Sequence, residues 1–156
     1  MEKITNVKIA GLGGMGVLKA AQILSELLFE EGYDVKKAEV HGMAQRGGSV
    51  ASDVRFGKKV FSPIIPEGKI DFLLSLEPEW SDVFQDSLSG KGILISPKDF
   101  DVTNLPTSKA INVAILGVLS KHMSFSEEKW LSVIAKFFPE KLKESNEQAF
   151  KLGRNS

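Results

Sequence analysis

The chain has 156 residues, of which 42% are hydrophobic and 26% charged, the balance of a globular protein long enough to bury one core. Twenty Lys and Arg offset twenty Asp and Glu, so no concentrated positive field points to nucleic acid or to an anionic membrane. There is no cysteine, which excludes disulfides, thiolate zinc sites, iron–sulfur ligation and a cysteine nucleophile within this chain and is compatible with a reducing cytoplasm, the expected location.

Residues 1–6 carry Glu2 and Lys3 and lack the apolar stretch of a secretion signal. No uncharged apolar run approaches the roughly 20 residues that span a bilayer. Residues 7–10 (Val-Lys-Ile-Ala) read as a short strand that breaks at Gly11-Leu12-Gly13-Gly14-Met15-Gly16. Val17, Leu18, Ala20, Ala21, Ile23, Leu24, Leu27 and Leu28 then recur at helical spacing, and Gly32 supplies a stop. Residues 33–40 form the next strand. Strand, glycine turn, helix and strand in that order open a parallel βαβ unit.

Residues 41–48 have no periodicity and read as a loop. In 49–56, Val50, Ser52, Val54 and Phe56 alternate, predicting a half-buried strand; a turn at Gly57-Lys58-Lys59 would return residues 60–62 as an antiparallel edge strand. The near-continuous apolar run 70–76 predicts a central parallel strand. A helix over 78–88 starts with Pro78 in its first turn. A strand over 92–96, closed by Pro97, a loop over 98–106 and a last short strand at 109–111 follow. Asn112 is read as the N-cap of a helix over 113–122. Ser126, with Glu127 and Glu128 behind it, starts a helix through Phe138, and 139–152 forms the last one. The expectation is an α/β fold: a single doubly wound, Rossmann-like, mostly parallel sheet with an antiparallel edge hairpin and helices on both faces. One domain covers 1–153, and 154–156 fray.

Two constellations carry candidate chemistry. Gly11, Gly13 and Gly16 match G-x-G-x-x-G between a strand and a helix. Glycines there allow a tight turn and close backbone approach, and a helix N-terminus offers free N–H groups to an anion. Glu39 occupies roughly the place of an acidic residue that holds a ribose hydroxyl. Against a nucleotide stand the extra Gly14, the capacity of glycines simply to permit helix–sheet packing, and a second strand that runs straight into another glycine-rich loop. The second constellation is that loop, Glu39-Val40-His41-Gly42-Met43-Ala44-Gln45-Arg46-Gly47-Gly48-Ser49, at the carboxyl end of a strand, where open α/β sheets place ligand crevices. Arg46 can fork onto a phosphate or carboxylate, His41 can transfer a proton and Gln45 can present an amide. A partner-docking loop with the same residues is the other reading, and residue types leave both open.

Remaining candidates are structural in character. Glu77-Pro78-Glu79-Trp80 suits helix capping better than a basic partner, His122 suits a helix end, and Trp130, Phe137 and Phe138 sit at packing spacings. A lone histidine without cysteine or carboxylate company is a poor metal ligand.

The runs Gly11-Leu12-Gly13-Gly14-Met15-Gly16-Val17 and His41-Gly42-Met43-Ala44-Gln45-Arg46-Gly47-Gly48-Ser49-Val50 together strongly resemble the gamma subunit or domain of the pyruvate/2-ketoacid:ferredoxin oxidoreductases. The resemblance is closest to the beta subunit of indolepyruvate:ferredoxin oxidoreductase. It extends through Ile70-Asp71-Phe72-Leu73-Leu74-Ser75-Leu76-Glu77-Pro78, the 112–119 helix and Asn146-Glu147-Gln148-Ala149-Phe150. It implies a small, cluster-free subunit supporting oxidative decarboxylation of a 2-oxoacid to an acyl-coenzyme A with reduction of ferredoxin. Thiamine diphosphate and iron–sulfur clusters would belong to a large partner subunit, with coenzyme A at the interface and ferredoxin met through the complex; the isolated chain is expected to be inactive and to self-associate. The resemblance carries Gly11, Gly13, Gly14, Gly16, His41, Gln45, Arg46, Gly47, Gly48 and Ser49 as interface or coenzyme A neighbours, none of them catalytic. The competing readings are a stand-alone Rossmann-type nucleotide-binding oxidoreductase and a ligand-binding module.

Overall fold

The computed structural model describes residues 3–41 and 48–156. Its elements run β1 (Thr5–Leu12), α1 (Val17–Glu30), β2 (Asp34–His41), β3 (Ser49–Gly57), β4 (Ile70–Ser75), α2 (Glu79–Phe84), β5 (Leu88–Ile95), α3 (Ile111–Ser120), α4 (Glu127–Ala135) and α5 (Lys143–Arg154). The strands form one sheet in the order β2-β3-β1-β4-β5. β4 pairs with β1 and with β5 in parallel, whereas β3 pairs antiparallel with both β1 and β2. Four strands therefore run one way, and β3 alone is reversed.

The α/β fold with a mixed, mostly unidirectional sheet is the one expected, but its antiparallel hairpin is built differently. β3 turns back from β2, not into 60–62, which form no strand. The physical reason is that both edges of β3 are already occupied, from Thr5↔Phe56 to Leu12↔Ser49 on one side and Asp34↔Gly57 to His41↔Val50 on the other. Polar groups in the 58–68 segment go to side chains instead. Val60 N–H donates to Asp34 Oδ2 at 2.8 Å, and Ser62 C=O accepts from Arg55 at 2.8 Å.

Strand alternation divides the sheet faces. Val7, Ile9, Val54, Phe56, Phe72, Leu74, Ile93 and Ile95 join the core formed with α1, α3, α4 and α5. On the opposite face Lys8 Nζ meets Asp53 Oδ1 at 2.6 Å and lies 5.0 Å from the centre of the Phe84 ring, at the end of α2. Helices thus cover both faces, the larger group on one.

α3 is the centre of that larger layer. Residues from Asn112 to Ser120 are all buried, because the helix is enclosed by α1, α4, α5 and the sheet. Its contact with α5 is close enough that a Cβ added to Gly117 would strike the Phe150 carbonyl, and one added to Gly153 would strike the Ala114 carbonyl and reach within 2.9 Å of Val118 N.

Several boundaries differ from the sequence expectation. The strand predicted at 109–111 is a 3₁₀ turn, Ser108–Ala110, leading directly into α3, with Thr107 Oγ1 accepting from Lys109 N. Asn112 is consequently inside α3 and not its N-cap, which is Ala110. The helix predicted to reach Leu88 ends at Phe84, a 3₁₀ turn spans Gln85–Ser87, and Leu88 already belongs to β5. α4 starts as expected, with Ser126 Oγ accepting from Lys129 N at 3.1 Å. It ends at Ala135 because Phe138 precedes Pro139, which disfavours the helical conformation, and Lys19 Nζ takes the Phe137 carbonyl at 3.2 Å. α5 continues to Arg154, and Lys121 Nζ holds the Ser156 carbonyl at 2.8 Å.

α1 and α4 are joined by Glu30, which accepts from Lys129 Nζ at 2.7 Å and from Lys136 Nζ at 2.5 Å. Hydrogen bonding from Lys129, then Lys136 and Glu26, lowers the Glu30 carboxyl from its ordinary 4.5 to about 2. A carboxyl depressed in the fold stabilises it fully above its unfolded value and loses that contribution as pH falls through the folded one. Glu30→Gln is therefore expected to melt below the wild type at pH 7, the gap closing between pH 4.5 and 2; thermal scans across that range check it. At the helix contact, Gly153→Ala should lower stability by about 2–3 kcal/mol by overpacking, despite alanine's better helix propensity. Urea midpoints measure this.

Candidate functional site

The carboxyl end of β1 meets the amino end of β3. Gly11 pairs with Val50 and Leu12 with Ser49, and beyond the strands the Gly13 N–H donates to the Gly48 carbonyl at 2.8 Å. That bond joins the glycine turn after β1 to Gly48, the last glycine of the second segment, which sequence spacing had kept apart. Contact there is tight. A Cβ on Gly13 would stand 3.3 Å from the Gly48 carbonyl oxygen, and one on Gly11 would stand 3.0 Å from Val17 Cγ2 and 3.2 Å from Leu76 Cβ.

Gly14 and Gly16 both take left-handed backbone, with φ of 88° and 87°, where a side chain costs roughly 1–2 kcal/mol. Their surroundings differ. A Cβ on Gly14 would meet no described heavy atom within 4 Å, whereas one on Gly16 would collide with Asn112, 2.9 Å from its Cγ. Among the described residues Gly14 is on the open side of the turn, and Gly16 is sealed from behind by α3. Gly16 is also the N-cap of α1, which has no side-chain cap. Among the described residues no side chain takes the first N–H groups of α1, which helical geometry leaves without intrahelical partners. Met15 closes the turn from within, its Sδ 3.4 Å from Leu12 N.

Of the other predicted site residues, Ser49 begins β3 opposite Leu12, and the His41 backbone ends β2 opposite Val50. Gln45, Arg46 and Gly47 lie outside the described residues, as do Gly42, Met43 and Ala44. Asn112 escaped the functional reading of the sequence. The signal was available: one carboxamide in the apolar run Ile-Asn-Val-Ala-Ile-Leu-Gly-Val-Leu must find hydrogen bonds once the helix is buried.

Glu39 is not placed as a ribose ligand. β3 stands between β1 and β2, so Glu39, opposite Ser52, is two strand spacings, about 9–10 Å, from β1. Its carboxylate lies 3.8 Å from Lys37 Nζ. The glycine turn therefore lacks the neighbouring acidic strand end of an ordinary dinucleotide pocket. His122 follows the end of α3, as read, with its exposed ring 5.6 Å from Phe72, and the fully buried Trp130 is a packing residue, as read, 5.7 Å from Phe150. No group of three His, Cys, Asp or Glu among the described residues could hold a metal ion, and no described helix is long and apolar enough to cross a membrane.

Residues 6–156 match the pyruvate ferredoxin/flavodoxin oxidoreductase family. The chain belongs to that family. It is similar to indolepyruvate oxidoreductase subunit IorB of Thermococcus kodakarensis, 31% identical, with 95% of this chain and 93% of the relative covered. The crystal structure of the gamma subunit of a keto/oxoacid ferredoxin oxidoreductase from Geobacter sulfurreducens has the same fold, with a TM-score of 0.75, 25% identity and coverage of 97% and 96%. The fold also recurs within a longer chain, the 2-oxoglutarate:ferredoxin oxidoreductase of Magnetococcus marinus, at a TM-score of 0.82 and 17% identity, covering 99% of this chain and 31% of that one. Within this oxidoreductase family the chain is a small subunit.

The contrast between the two left-handed glycines can be measured. Gly14→Ala should cost only its backbone strain, about 1–2 kcal/mol, and Gly16→Ala should cost about 1–3 kcal/mol more through overpacking against Asn112. Denaturant titration of the two variants compares them directly.

Proposed function

We propose that this chain is the cluster-free small subunit of a thiamine-dependent 2-oxoacid:ferredoxin oxidoreductase acting on indolepyruvate or a related aryl 2-oxoacid. The large subunit with which it assembles carries thiamine diphosphate and the iron–sulfur clusters, and ferredoxin is met through that complex. The single observation that carries the reading is the hydrogen bond from Gly13 to Gly48, which makes one docking rim of two segments at the carboxyl end of the sheet. The end-to-end likeness to an indolepyruvate oxidoreductase subunit supports the substrate class.

The residues of this chain divide the cofactors clearly. Iron–sulfur clusters do not fit it, because it has no cysteine and clusters are held chiefly by thiolates. A phosphate-bearing group such as coenzyme A does fit the rim, since the open side of Gly14 admits close backbone approach and the uncapped start of α1 offers N–H groups to an anion. When bound, coenzyme A supplies the thiol that accepts the acyl group; this chain orients and shields it. Gly11, Gly13, Gly14, Gly16, His41, Gln45, Arg46, Gly47, Gly48 and Ser49 form the rim on this reading, and none of them reacts. A stand-alone nicotinamide enzyme is disfavoured by the interposed β3, which takes Glu39 away from the glycine turn.

Reconstitution tests the proposal. The chain alone is expected to reduce no ferredoxin, and addition of the large subunit should give turnover with an aryl 2-oxoacid and coenzyme A. Gly13→Leu, which pushes a side chain against the Gly48 carbonyl, should raise the dissociation constant for the large subunit at least tenfold, about 1.4 kcal/mol, with helix content unchanged. Turnover by the isolated chain, or failure of the wild type to bind the large subunit, refutes the assignment.

A further inference from the structure

We propose that Asn112 is a positioning residue for the glycine turn, bracing the Gly16 carbonyl and the start of α1 from behind; its effect on assembly rests on the docking role proposed above. Asn112 is 3% exposed, in a helix whose other buried side chains are almost all apolar. A buried carboxamide is costly unless both of its ends find partners. Here Oδ1 accepts from Val113 N at 2.9 Å, and Nδ2 donates to the Gly16 carbonyl at 3.3 Å, a contact between residues 96 apart in the chain.

The planarity of the peptide gives that second bond its consequence. The Gly16 carbonyl and the Val17 N–H belong to one trans unit and point in opposite directions. Because the Gly16 oxygen is held on the Asn112 side, the Val17 N–H of the same unit points away from Asn112. The same oxygen accepts the first helical bond of α1, from Ala20 N at 2.9 Å, so both of its ties are internal. Asn112 also fills the space where a Gly16 side chain would stand, its Cγ 2.9 Å and its Cβ 3.3 Å from that position. No side chain near the start of α1 in sequence caps this end. The rim is thus braced by a residue from another element, at the N-terminal end of the buried central helix.

Asn112→Asp keeps the shape and removes the donor, and Asn112→Ala removes the side chain. Amide hydrogen exchange on the isolated full-length chain reads positioning directly. Exchange at Gly13 and Ala20, whose amides are bonded to the Gly48 and Gly16 carbonyls, should rise at least tenfold in both variants while amides of α5 stay within twofold of wild type. The dissociation constant for the large subunit should rise at least tenfold in parallel, and Asn104→Ala, an exposed control, should change neither. Unchanged rim exchange, or an increase spread equally over α5, overturns the proposal; if one variant fails to fold, the other decides. A wild type that does not bind the large subunit sinks the docking role alone, because the exchange result still judges Asn112.

Discussion

β3 runs antiparallel between β1 and β2, and most of what is particular to this molecule follows from that insertion. A strand–glycine turn–helix–strand sequence ordinarily sets its two strands side by side, with the second strand's end beside the turn. Here that neighbouring place is taken. The start of β3 lies against the end of β1, so that the Gly13 amide reaches the Gly48 carbonyl, and the second glycine segment is delivered to the first. The same insertion moves Glu39 outward by a strand. One hydrogen-bonding constraint thereby exchanges a nucleotide-like arrangement for a two-segment rim.

Behind the rim the structure is rigid by construction. α3 is buried on all sides, Gly117 and Gly153 let α5 lie against it at backbone distance, and Glu30 ties α1 to α4 through two lysines. A helix so enclosed is a firm base from which a single carboxamide can act on the turn. Positioning from a rigid element suits the docking role proposed above.

Much of this was legible in the chain itself. The 3.6-residue spacing from Val17 to Leu28 and the glycine run before it located the first strand–turn–helix, and the run 70–76 located the central parallel strand. Ser126 with two following glutamates marked the start of α4. The missing cysteines decided which cofactors this chain cannot ligate. Motif resemblance pointed to the family that the end-to-end matches establish. What misled was local: Asn112 looked like a cap because Asn favours caps, and residues 60–62 looked like a strand because apolar residues follow a turn.

Composition, periodicity and the order of elements therefore determined the fold class, the first strand–turn–helix and the absence of metal-binding thiolates, because these depend on residue content and on residues near one another in sequence. The partner of β3, the displacement of Glu39, the meeting of Gly13 with Gly48 and the seat of Asn112 under Gly16 were decided only in three dimensions. Each depends on which backbone edge is already occupied and which buried polar atom still needs a partner, and both questions are answered by distant parts of the chain.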